Sequence, residues 1–134
     1  MHLRWRSVGL VFVGGTLGTG LRYGLSGLTP PLAGVPVATL AVNVLGSFVL
    51  GLLLEWLLRA GSDEGWRQDL RLGVGTGVLG GFTTYSALAT DTASLLSGGH
   101  PGRAVGYAVA TLVLGLVAAA SGIWSAGRRR SGRR

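Results

Sequence analysis

The stretch Gly80-Gly81-Phe82-Thr83-Thr84-Tyr85-Ser86 decides how this chain is read. It lies inside a run from Leu72 to Thr90 that carries no charged residue. Adjacent glycines followed by adjacent threonines are poor helix formers. At bilayer depth they predict a helix broken near its middle, with backbone carbonyls released from it. Lipid tolerates such backbone only where protein buries it or where it lines a water or ion site. The stretch therefore predicts a membrane protein whose function sits at an intramembrane break.

The composition agrees. Of 134 residues only 13% are charged, against about 25% in ordinary soluble domains. The mean hydropathy is +0.49. All 12 cationic residues are arginine, and the formal net charge is +7. Such a balance can mark a nucleic-acid binder, but these arginines flank apolar segments instead of lining one polar face. There is no cysteine, which excludes a thiolate metal site, a disulfide framework and a cysteine nucleophile. Without lysine there is no phosphate-binding loop of the usual lysine-containing type, and both histidines, His2 and His100, fall outside the apolar segments. The chain is not expected to be an enzyme.

A membrane-spanning helix needs about 20 mostly apolar residues. Four segments qualify, at about 8–28, 34–57, 72–97 and 104–127. They predict an all-α membrane protein with four transmembrane helices, the third interrupted, and a basic cytoplasmic tail over 128–134. The first segment carries Arg22 and many glycines, so it reads as a span and not as a cleaved leader. With four spans, both termini and the middle loop share one side. That side holds Arg4, Arg6, Arg59, Arg67, Arg71, Arg128, Arg129, Arg130, Arg133 and Arg134, while the other holds Arg103. Arginine stays cytoplasmic, so the expected location is the cell membrane, multi-pass, with both termini inside.

Glycine accounts for 25 residues. Helices in lipid associate through small residues that bring backbones together. The spacings Gly14/Gly18, Gly73/Gly77 and Gly77/Gly81 place glycine pairs on single helix faces. Four short helices enclose a polar pathway poorly, so an oligomer is expected.

The polar residues inside the spans are donors: Asn43, Thr83, Thr84, Ser86, Thr111 and Arg22. Carboxylates occur only near span ends, at Glu55 and Asp91, the latter expected to be solvated. Donors without acids suit a small anion, whereas carbonyls released over Gly80 to Thr83 suit a hard, oxygen-seeking cation such as sodium. A gluing hydrogen bond between helices remains an alternative role for Asn43, and a bond to its own helix an alternative for Thr111.

Three segments resemble the Fluc/CrcB fluoride channel family. They are Gly14-Gly15-Thr16-Leu17-Gly18-Thr19-Gly20-Leu21-Arg22-Tyr23, Thr39-Leu40-Ala41-Val42-Asn43-Val44-Leu45-Gly46-Ser47-Phe48 and Gly80-Gly81-Phe82-Thr83-Thr84-Tyr85-Ser86-Ala87-Leu88. The resemblance implies a passive fluoride channel, exporting fluoride and lowering its toxicity, built as an antiparallel dimer around a structural Na+. It implies that the backbone carbonyls of Gly80 and Thr83 hold the sodium. It further implies a fluoride pathway along Asn43, Thr84, Tyr85, Ser86, Leu88 and Thr111, with Arg22 near the aqueous entry, and Tyr107 falls near a tyrosine of the family's fourth helix. Two phenylalanines of the family pattern are Tyr85 and Leu88 here, and a threonine is Ala87. An aromatic edge can face an anion. Tyr85 keeps that contact and Leu88 does not, which puts one of two pores in doubt. The arginine imbalance predicts one-way insertion and pairing with an oppositely oriented homologue, with a homodimer left open. The competing readings are a small multidrug or cation exporter, which needs an acid in the first span, and a non-transporting scaffold.

Overall fold

A computed structural model describes residues 4–128. Arg129, Arg130, Arg133 and Arg134 of the expected tail lie outside the described residues, as does His2. Arg128 is the last described residue and lies in the final helix.

Four helical passes run up and down. α1 covers Trp5–Leu28 and α2 covers Val37–Ala60. The turn between them contains Pro30 and Pro31 and is held by the paired backbone of Leu32 and Val35. The third pass is segmented. α3 spans Trp66–Leu70, a π-helical segment follows over Arg71–Leu79, and α4 covers Gly80–Phe82. Thr83 and Thr84 are extended, at φ −73°, ψ 154° and φ −150°, ψ 121°. α5 then runs Tyr85–Ser97, and α6 runs Pro101–Arg128.

Among the described residues two helices are long and apolar enough to cross a membrane. These are α2 and α6, with mean hydropathy 2.2 and 2.0. The first pass has the length but is diluted by glycine and Arg22, and the third is divided into pieces. The third pass begins at Trp66, inside the charged run that precedes Leu72.

Backbone contact holds the passes in two pairs. α1 lies against the third pass, where a Cβ on Gly14 would strike the Gly73 carbonyl oxygen and one on Gly18 the Val78 carbonyl. A Cβ on Gly81 would strike the Gly15 carbonyl. α2 lies against α6 through Gly51, closed by Ala119, and Gly122, closed by Phe48. The second pair was not singled out from sequence, because Gly51 and Gly122 stand apart from the four-residue spacings.

At the end holding the 61–65 loop, ion pairs tie the passes together. Arg6 donates to Asp69 at 2.6 Å, Arg71 pairs with Asp63 at 2.7 Å, and Arg59 pairs with Glu55 one turn earlier. The hydrogen bond from Arg71 holds the Asp63 carboxyl below the usual carboxylate range. Gly61, at φ 131°, closes α2 in a conformation that side-chain-bearing residues rarely adopt.

Candidate functional site

Asn43 sits half-buried on α2 opposite the interruption of the third pass. Its carboxamide pairs twice with the Thr84 backbone. Nδ2 donates to the Thr84 carbonyl at 3.0 Å, and Oδ1 accepts from the Thr84 N–H at 2.7 Å. The side chain thus acts as a substitute peptide group.

That pairing explains the interruption. In a continuous α-helix the Thr84 N–H would bond the Gly80 carbonyl, and here it bonds Asn43. The Ala87 N–H would likewise bond the Thr83 carbonyl. Instead it donates to Thr84 Oγ1 at 3.1 Å, the N-cap of α5. Two side chains therefore take the helix donors of the Gly80 and Thr83 carbonyls. Gly80 and Gly81 remain helical, so the non-helical residues are the threonines and not the glycines. The Gly81 carbonyl is differently used. It accepts from Thr19 Oγ1 and from Arg22 Nε, each at 3.3 Å. Arg22, expected near an aqueous entry, is half-buried and turned back onto the break.

A groove of about 350 Å³ opens beside this site on the surface of the chain. Asn43, Thr83, Thr84, Tyr85, Leu88 and Thr111 all line it. Arg22, Gly80 and Ser86 do not, although Ser86 Oγ lies 3.2 Å from Thr84 Oγ1. Tyr85 is 81% exposed and Leu88 is 6% exposed. Leu88 packs into an apolar cluster with Leu95, Ala104 and Tyr107. Thr111 is buried and donates to the Tyr107 carbonyl of its own helix at 2.8 Å, the local bond weighed from sequence.

Ser47 also lines the groove and was not anticipated as a site residue. Its position four residues after Asn43 places both on one helix face, so the signal was present. Asp91 departs from the expected solvation. It is half-buried instead of solvated, and its Oδ2 accepts from Thr39 Oγ1 at 2.8 Å and from Tyr107 OH at 3.0 Å. Three different passes supply this cluster, and no spacing in the sequence brings them together.

Residues 9–123 match the family described as CrcB-like protein, Camphor Resistance (CrcB). The chain belongs to the CrcB family. It is 53% identical over 123 residues, covering 92% of this chain and 85% of the relative, to "Fluoride-specific ion channel FluC 2" of Leifsonia xyli subsp. xyli. It is 46% identical to "Fluoride-specific ion channel FluC 1" of Cutibacterium acnes, over 84% of this chain and 79% of the relative. A "Fluoride-specific ion channel FluC" of Thermus thermophilus is 50% identical over 80% of this chain and 84% of its own length. These relatives are named as ion channels and not as enzymes. With two helices apolar enough to span a bilayer, this CrcB chain is a membrane protein.

The donor set suits a hard monovalent cation at the break. It consists of neutral carbonyl oxygens at Gly80 and Thr83 whose helix donors are engaged elsewhere. Among the described residues no group of three or more His, Asp or Glu side chains stands ready for a metal.

Proposed function

We propose that this chain is a passive fluoride-selective channel subunit that lets fluoride leave the cytoplasm. The single observation that carries the reading is the uncharged donor groove at the Asn43–Thr84 clamp, in a chain similar to proteins named as fluoride-specific ion channels.

The chemistry follows from fluoride's tight hydration. A pore must replace that water with fixed donors, yet release the ion. Asn43 commits one Nδ2 hydrogen to Thr84 and keeps the second for an anion. The hydroxyls of Ser47 and Thr84 add donors along the groove, whereas that of Thr111 is committed to the Tyr107 carbonyl, and the exposed ring of Tyr85 adds an edge of partial positive charge. Sodium, held by the Gly80 and Thr83 carbonyls of two subunits, would supply fixed positive charge at the dimer centre. A membrane potential, negative inside, drives an anion outward by about 2.3 kcal/mol per 100 mV. That is roughly fifty-fold exclusion without any other energy source.

The groove is open on one side, and Tyr85 is turned out of the chain. An antiparallel partner would close it. Two relatives carry the numbered names FluC 2 and FluC 1. Together with the arginine asymmetry, this supports pairing with an oppositely oriented homologue, with both termini of this chain inside. An exporter of organic cations would need an acid in the first pass, and α1 has none.

Fluoride efflux from loaded vesicles tests the function. Vesicles containing this chain, with its neighbouring homologue if required, are expected to release fluoride rapidly and to retain chloride. Asn43→Asp places a carboxylate oxygen against the Thr84 carbonyl and a negative charge beside the groove. It is expected to lower fluoride efflux at least about a hundredfold, the loss of roughly 3 kcal/mol. Undiminished efflux from that variant would remove Asn43 from the pathway.

A further inference from the structure

The four tryptophans all lie at one end of the bundle. Trp5 opens α1, Trp56 is in the last turns of α2, Trp66 opens the third pass and Trp124 is near the end of α6. They are 81%, 46%, 56% and 59% exposed. The same end holds Arg4, Arg6, Arg59, Arg67, Arg71 and Arg128, whereas the opposite end holds Arg103 and no tryptophan. Exposed tryptophan at such a rim sits at the headgroup level of a bilayer.

A groove of about 280 Å³ is set into this rim. Its floor is Leu54, Leu57 and Leu58 of α2, and its upper wall is Asp63, Arg67 and Arg71. The two arginines differ. Arg71 is neutralised by Asp63, with Nε 3.0 Å from both carboxylate oxygens. Arg67 has no carboxylate partner among the described residues. It donates to the carbonyls of Ser62 at 2.7 Å and Ala60 at 3.3 Å and to Ser62 Oγ at 3.5 Å, and it lies 5.6 Å from the Trp66 ring centre. Those bonds fix the guanidinium in place and leave two of its five N–H groups for another acceptor.

The geometry points to this groove as a seat for one anionic phospholipid. The leucine floor takes an acyl chain and Arg67 takes the headgroup phosphate, with Trp66 beside it. Arginine forks match phosphate oxygens, and basic residues next to a bilayer attract anionic lipid. A free phosphate would use the arginine but not the three leucines, which is why a lipid is the occupant. The site does not depend on ion conduction.

Native mass spectrometry of the full-length chain, purified in detergent and mixed with phosphatidylglycerol or phosphatidylcholine, reads the binding directly. The chain is expected to retain phosphatidylglycerol in preference to phosphatidylcholine. Arg67→Gln is expected to weaken retention about fivefold, the share of one arginine, and Arg103→Gln to leave it unchanged. Because Arg67 also holds the loop, Asp63→Asn supplies a test that misfolding cannot mimic. Removing that carboxylate frees Arg71 and is expected to strengthen phosphatidylglycerol retention. Equal retention of both lipids, an unchanged or weaker Asp63→Asn complex, or displacement of the lipid by millimolar inorganic phosphate would each overturn the assignment.

Discussion

At the scale of single residues, the site is a contest between side chains and backbone for the same N–H groups. Asn43 wins that of Thr84, and Thr84 wins that of Ala87. Sequence made Asn43, Thr83 and Thr84 visible as polar groups out of place in lipid. It did not show that Asn43 pairs with a backbone, because a lone amide in an apolar run reads alike as a helix-to-helix bond or as a donor to an ion. Asp91 was misjudged for a related reason. Its place near the end of a span suggests water, while its actual partners are Thr39 and Tyr107, 52 and 16 residues away. Removing one of those hydroxyls leaves a half-buried carboxylate with a single donor. Tyr107→Phe is therefore expected to destabilise the protein by about 1–3 kcal/mol. Thermal unfolding in detergent measures this. A melting temperature equal to that of the unaltered protein would mean that water replaces the phenol at no cost.

At the scale of elements, glycine spacing was the more readable signal. Gly14, Gly18, Gly77 and Gly81 stand at the contact of α1 with the third pass, as their four-residue intervals suggested. The π-helical winding of Arg71–Leu79 was not readable. It depends on hydrogen bonds one residue longer than those of an α-helix, and no residue type announces that. The glycine contact carries a sharp expectation. A methyl group on Gly18 meets the Val78 carbonyl, whereas one on Gly20 meets open space. Gly18→Ala should lose about 1–3 kcal/mol through overpacking, and Gly20→Ala should lose nothing measurable or gain slightly. Equal melting temperatures for the two variants would show that α1 can retreat from its neighbour without penalty.

At the scale of the whole molecule, helical segments were legible from uncharged length, although among the described residues only α2 and α6 are apolar enough to cross a membrane, and the likeness to CrcB was legible from three motifs. What covers the open groove was not, because a single chain says nothing of its neighbour's direction. The arginine count suggests an answer. This chain is expected to insert with its arginine-rich end cytoplasmic in every copy. A cysteine placed at the 98–100 turn should react with an impermeant maleimide from outside the cell, and one in the 61–65 loop should not. Labelling of both positions from the same side would establish dual insertion and restore the homodimer.

Thr84 has a further consequence. Its hydroxyl marks where α5 stops growing toward its own beginning, since the next N–H in line is intercepted before it reaches the Thr83 oxygen. Valine has the same outline without the oxygen. With valine there, that N–H would be free to bond the Thr83 oxygen and to extend α5 backwards by one bond. One oxygen atom, contributing nothing to overall shape, thus sets where α5 begins, while Asn43 separately keeps the Thr84 backbone out of the preceding helix.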